Sequence, residues 1–213
     1  MVRCLPALVL AVGIAACSTT TASRRVSVIG DSITALAQPE LSSTLDPTYS
    51  VGYVFRIGAR IGPLLALVAS DLHDNGPTAA AVINLGTNDA LAGGDRAPAL
   101  ASFAKLLTTV DSVRCVVLTT IGPFADVRGG SDVGASLNRT MADLVASDPR
   151  RYKLVDWNRF LTTLDSPTRR LYLAPDLIHE TPAGARWIAA SDGAALHTCD
   201  TAAHAPPVRA PDP

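Results

Sequence analysis

The chain alternates short, almost wholly apolar runs with longer stretches in which apolar residues recur every three or four positions. Runs of the first kind, rich in β-branched residues, occupy 25–30, 50–57, 79–85, 114–120 and 152–156 and read as five strands. Helical periodicity fits 63–73, 97–110, 132–146 and 182–197, with Pro98 tolerated in a first turn. Strands that alternate with helices of this length predict a single three-layer α/β domain around a doubly wound, five-stranded parallel sheet. A ligand site is then expected at the carboxyl ends of the strands. Gly30, Gly58, Asn88 and the Gly122-Pro123 turn all fall at that edge.

The residues that close these runs carry the candidate chemistry. The first run stops at Gly30-Asp31-Ser32 and continues through Ile33-Thr34 into the start of a helix. The free amides and positive dipole end of that helix favour the oxyanion formed when a serine at this point attacks a carbonyl. Asn84-Leu85-Gly86-Thr87-Asn88-Asp89 likewise ends an apolar run in a polar cluster, and Asp176-Leu177-Ile178-His179 sets a carboxylate and an imidazole three residues apart. Taken singly, each has a plain structural role: Asp31 and Ser32 can cap a helix, and Asn88 and Asp89 can form a turn. Together they form one constellation suited to nucleophilic catalysis.

Composition narrows the classes. A length of 213 residues suits one domain with a substantial core. The net charge of −1, without a Lys/Arg run, makes nucleic acid an unexpected partner. No Cys/His cluster has zinc spacing and no phosphate-loop pattern occurs, so neither metal nor cofactor is expected; His73, His197 and His204 lie in helix-end or tail contexts. The absence of a Gly-x-Ser-x-Gly elbow argues against the α/β-hydrolase fold.

The ends of the chain read differently from its middle. Arg3 followed by an apolar stretch from Cys4 to Ala16, too short for a membrane span, reads as an export signal. Ile14-Ala15-Ala16-Cys17 resembles the lipobox of bacterial lipoproteins, which implies removal of residues 1–16, lipidation of Cys17, and a short tether over 17–24; simple secretion with nearby cleavage is the alternative. Residues 25–200 then form the domain, and the Ala/Pro-rich stretch 201–213 is expected to be a disordered tail. After export chemistry Cys115 and Cys199 remain, an even number in an oxidising exterior. A final helix leaving the catalytic edge returns toward the amino-terminal ends of the strands, where Cys115 lies. A disulfide is expected there, the alternative being two unpaired buried thiols.

Gly30-Asp31-Ser32, Gly58, Gly86-Thr87-Asn88-Asp89 and Asp176-Leu177-Ile178-His179 resemble, in order, the four sequence blocks of the SGNH hydrolase superfamily, also called GDSL esterases and lipases. The likeness spans essentially the whole domain, and 176–188, with Thr181-Pro182-Ala183-Gly184, is similar to the family's closing block almost residue by residue. The resemblance implies a flavodoxin-like fold and a cofactor-free serine esterase. Ser32 would be the nucleophile, His179 its general base, Asp176 the group that orients His179, and the amides of Ser32 and Gly58 with the Asn88 side chain the oxyanion hole. Gly52 and Gly62 are alternatives for the glycine. Ile33-Thr34 replaces the Leu-Ser of the family's common name and leaves the catalytic groups intact. The implied activity is hydrolysis of acyl esters, acetyl among them, on envelope carbohydrate or lipid, by a monomer held at the membrane through Cys17. An acyltransferase using the same triad is the alternative enzyme. A non-catalytic binding module is the alternative outside enzymes, and it has no need of Ser32, His179, Asp176 and Asn88 together.

Overall fold

The computed structural model describes residues 24–204; the expected signal segment, Cys17, nearly all of the tether, and 205–213 lie outside the described residues. Five strands, β1 (Arg25–Gly30), β2 (Ser50–Phe55), β3 (Ala80–Asn84), β4 (Cys115–Thr119) and β5 (Tyr152–Val155), form one parallel sheet in the order β2-β1-β3-β4-β5. The order places β1 between β2 and the central β3, and the winding of the chain reverses there, so the crevice between the ends of β1 and β3 is the natural ligand site. Strands β2 to β5 end one or two residues inside the apolar runs, because the outer apolar residues leave the ladder. Ile57 is exposed in a turn, whereas Leu85 is buried beyond the last sheet bond of β3.

Successive strand residues face opposite layers, as the two-residue period of a strand requires. On β4, Val116 and Leu118 point into one core, and Cys115 and Val117 into the other. The first core is closed by α2 (Ile61–Asp74), α4 (Ala97–Thr109) and α6 (Val133–Ser147), through Leu64, Phe103, Leu106, Leu137 and Met141. The second is closed by α1 (Ser32–Leu45) and α9 (Pro182–His204), through Leu41, Leu45, Ala189 and Leu196. The three layers match the sequence expectation. Helix α9 continues to His204, beyond the end at 197 that the periodicity suggested.

Four further helices, α3 (Thr87–Ala92), α5 (Phe124–Gly129), α7 (Trp157–Thr163) and α8 (Ser166–Arg169), were not expected from periodicity. Each spans about two turns or fewer, too short to display an amphipathic stripe. Helix α1 carries Pro39 in its interior, which removes a backbone donor and blurs the pattern after Ser32. Beneath the segment 171–181, Trp157, Phe160, Tyr172 and Trp187 stack in one cluster, with the Phe160 and Trp187 ring centroids 4.2 Å apart. Cys115 and Cys199 are joined by a disulfide with Cα atoms 6.1 Å apart, inside the range a bridge can span. The helix returns to the amino-terminal ends of the strands because it begins at their carboxyl ends.

Candidate active site

Ser32 is the first residue of α1, immediately after β1. The turn is held by Asp31, whose Oδ1 accepts the N–H of Ile33 (3.0 Å) while its carbonyl accepts that of Ala35 (3.0 Å). The Ser32 hydroxyl lies 3.0 Å from His179 Nε2, and His179 Nδ1 lies 2.7 Å from Asp176 Oδ2. With Nδ1–H donating to the carboxylate, Nε2 is the basic nitrogen and faces the hydroxyl. The three residues that sequence spacing nominated thus meet across 147 positions of chain.

The Asp176–His179 loop is fastened at several points. Asp176 Oδ1 accepts the N–H groups of Ile178 (2.9 Å) and His179 (3.0 Å), a local turn that sets carboxylate and imidazole on one side. Ala174 N–H donates to the His179 carbonyl (2.8 Å), Thr181 N–H donates to the Tyr172 carbonyl (2.9 Å), and Leu173 pairs with Glu180 in an isolated antiparallel bridge. The aromatic cluster supports this ladder from below. The His179 and Asp176 side chains remain 36% and 40% exposed, so this side of the site opens to solvent among the described residues.

Asn88, in the first turn of α3, donates from Nδ2 to Asp31 Oδ2 (2.8 Å). One carboxylate therefore caps the helix that Ser32 opens with one oxygen and holds Asn88 with the other. The second Nδ2–H of Asn88 remains available. Asp89 turns away, its Oδ2 accepting the Ile61 N–H (3.0 Å) and so tying the start of α2 to α3. Gly58 sits in the exposed turn after β2 at φ +74°, a conformation that favours glycine, and its N–H makes no hydrogen bond among the described residues. Gly52 lies inside β2 opposite Ser27, and Gly62 faces Ser102 of α4, so neither alternative glycine occupies the loop at the site edge.

Burial sorts the carboxyl groups. Desolvation raises Asp31 to about 6, against the lowering effect of its bonds to Ile33 and Asn88. Partial burial works to raise Asp176 too, but hydrogen bonds from the His179 ring and from the Ile178 and His179 amides outweigh it and bring the group to about 2. Asp176 is therefore a carboxylate over the whole working range. Glu180, directly after His179, is the group sequence reasoning missed. It is 6% exposed, neither oxygen has a hydrogen-bond partner, and burial, reinforced by the nearby Asp31 and Asp176 charges, pushes it to about 8. No sequence signal marked it: Ile178-His179-Glu180 does not alternate in polarity, and only the folded loop turns Ile178 and Glu180 inward and His179 outward.

A narrow pocket of mixed polar and apolar lining lies between Ile33, which follows Ser32, and Ile178, which precedes His179; Asn84, Thr87, Thr120, Trp157 and Leu173 are among the residues of its wall. It has room for a small group, not a long chain. Among the described residues no group of three His, Cys, Asp or Glu side chains could hold a metal ion.

Neither a protein-family model nor a curated protein matches the sequence. Solved structures do. The C-terminal catalytic domain of peptidoglycan O-acetyltransferase A from Streptococcus pneumoniae superposes with a TM-score of 0.67 at 15% identity, over 84% of this chain and 96% of that one. A lipase/acylhydrolase from Enterococcus faecalis matches with a TM-score of 0.66 at 18% identity, covering 88% and 100%. The chain has the SGNH-hydrolase fold. An acetylxylan esterase from Geobacillus stearothermophilus shares it at 18% identity and a TM-score of 0.60, over 81% of this chain and 94% of the other.

Proposed function

We propose that the protein is an SGNH-type serine esterase that removes short acyl groups, acetyl foremost, from envelope carbohydrate or lipid. The observation that carries this reading is the continuous chain from Asp176 through His179 to the Ser32 hydroxyl, 2.7 Å and 3.0 Å long at its two links. Ser32 Oγ attacks the ester carbonyl carbon as its proton passes to His179 Nε2. The negative charge on the former carbonyl oxygen is met by the Ser32 and Gly58 amides and by Asn88. Collapse breaks the carbon–oxygen bond to the alcohol, which takes the proton from His179 and leaves Ser32 acylated. Water, deprotonated by His179, then attacks the acyl-enzyme and releases the carboxylic acid and free Ser32. Asp176 stays ionised throughout and stabilises the imidazolium.

The small size of the pocket favours acetyl over long acyl chains, and the half-exposed triad favours esters displayed on larger molecules. Likeness of fold to an O-acetyltransferase domain and to an acetylxylan esterase agrees with that substrate class. The open site also admits an alcohol in place of water, which makes acyl transfer the second reading. Export and anchoring through Cys17 belong to the same proposal; the Cys115–Cys199 disulfide supports an oxidising location. Purified protein incubated with acetylated xylan or acetylated peptidoglycan tests the reading: free acetate with loss of glycan-bound acetyl is expected. Absence both of acetate release and of fluorophosphonate labelling at Ser32 would refute a serine esterase, and acetyl moved to an added alcohol without free acetate would establish the transferase.

A further inference from the structure

We infer that Arg128 is a positioning residue for the triad, acting through the backbone of Asp176; this rests on the esterase reading of the site. Arg128 Nη1 donates to the Asp176 carbonyl at 2.9 Å, across 48 positions of chain. That carbonyl belongs to the peptide joining Asp176 to Leu177, and Leu177 is the one non-glycine at positive φ (60°) among the described residues. A leucine resists this conformation, so the peptide tends to turn over unless its carbonyl is held. The consequence falls directly on the chemistry. The turn around that peptide presents the Ile178 and His179 amides to Asp176 Oδ1, and thereby aims Oδ2 at His179 Nδ1.

A tether helps only if its base is firm, and α5 is anchored on both sides. Its last residue touches α3 backbone to backbone: a Cβ on Gly129 would lie 1.9 Å from the Ala90 carbonyl oxygen, and one on Gly93 would lie 2.2 Å from that of Gly129. Asp126 accepts the Gly134 and Ala135 amides at 2.7 Å each, pinning α5 to the first turn of α6. Because α3 carries Asn88, α5 is a strut that couples the oxyanion donor to the acid–base loop. The carbonyl of Asp176 is the only hydrogen-bond partner of the Arg128 side chain among the described residues, and no carboxylate pairs with it. Its position is explained by the loop rather than by a surface ion pair.

Arg128→Met in the full chain removes the donor and keeps the stem, and R128K restores a donor. With p-nitrophenyl acetate, a neutral probe, R128M should lose roughly 10- to 100-fold in kcat with KM within about two-fold, the cost of a misaligned catalytic pair. The rate of Ser32 labelling by a fluorophosphonate should fall by the same factor, and R128K should recover most of both. The downfield proton resonance of the His179 ring N–H bonded to Asp176 should broaden in R128M, at unchanged melting temperature; this signal reads the tether even if the wild type proves inert toward esters, an outcome that would sink the esterase reading alone. An unperturbed ring proton with full kcat would overturn the inference. So would a loss confined to KM, which would make Arg128 a substrate-binding group.

Discussion

The two ends of the sheet are built on opposite principles. At the amino-terminal end, Arg25 is paired with Asp71 (2.7 Å, both side chains 12% exposed), Ser27 donates to the other oxygen of the same carboxylate (2.7 Å), and the disulfide clamps β4 to α9. These polar groups are matched with one another, although the buried Arg151 Nε just before β5 has no hydrogen-bond partner among the described residues. At the carboxyl end, the Ser32 and Gly58 amides and the buried Glu180 carboxyl have no hydrogen-bond partners among the described residues, and Leu177 holds an unfavourable backbone conformation. Such features cost stability and persist where the surrounding structure compels them. The carboxyl end has cross-links of its own, Asn88 to Asp31 (2.8 Å) and the Ile61 amide to Asp89 (3.0 Å), and what sets it apart is the unmatched groups that stand among them.

The comparison can be broken most sharply at Ser32. Ser32→Ala should abolish ester hydrolysis and fluorophosphonate labelling while the melting temperature stays within a degree or two, since the change removes one half-buried hydroxyl. A well-folded S32A that turns over substrate at the wild-type rate would remove the triad from the mechanism.

Asn88→Ala comes next, with an expected loss of about 10²–10³ in kcat, typical of one oxyanion donor. It also deprives the buried Asp31 of a hydrogen bond, so its melting temperature should fall as well. A defect limited to KM would reassign Asn88 to substrate positioning.

At the opposite end, reduction of the disulfide or the C115A/C199A pair should destabilise by up to ~5 kcal/mol, the chain-entropy figure for a loop closed over 84 residues. Steady-state kcat at 25 °C should not change. A substantial kcat loss in folded, reduced protein would show that the two ends are coupled after all.

The smallest effect concerns Glu180. Its folded pKa of about 8 lies above the usual 4.5, so the unfolded chain ionises first and stability declines as pH rises from 4.5 to about 8, then levels off. Glu180→Gln, which mimics the protonated acid, should remove that decline. Thermal melts should find it more stable than the wild type by about 4 kcal/mol at pH 8 and nearly equal at pH 4. A pH-independent difference would mean that packing, not charge, distinguishes the two.

Asp192 marks the limit of reading such groups from sequence. It is wholly buried on α9, accepts one hydrogen bond from Thr119 Oγ1 (3.2 Å), and is raised by desolvation to about 7. Nothing in Ala190-Ser191-Asp192-Gly193 distinguishes it from a surface carboxylate. Arg128 is hidden for the same reason: its partner is a backbone carbonyl 48 positions away, and a carbonyl leaves no trace in composition or spacing. Helices α3 and α5, which carry Asn88 and Arg128, escaped the periodicity because each has six residues.

What the order of residues determined by itself was local or strictly sequential: apolar runs long enough to be strands, helices long enough to show a stripe, and polar clusters at run ends whose joint pattern named Ser32, Asn88, Asp176 and His179. Those follow from periods of two and 3.6 and from chemistry that a short segment carries whole. Tertiary structure alone decided which carboxyl groups lost their water, that Asp31 serves both the start of α1 and Asn88, and that Arg128 of α5 reaches the Asp176 carbonyl. Burial and long-range hydrogen bonds depend on which surfaces the folded sheet brings together, and no window along the chain contains both partners.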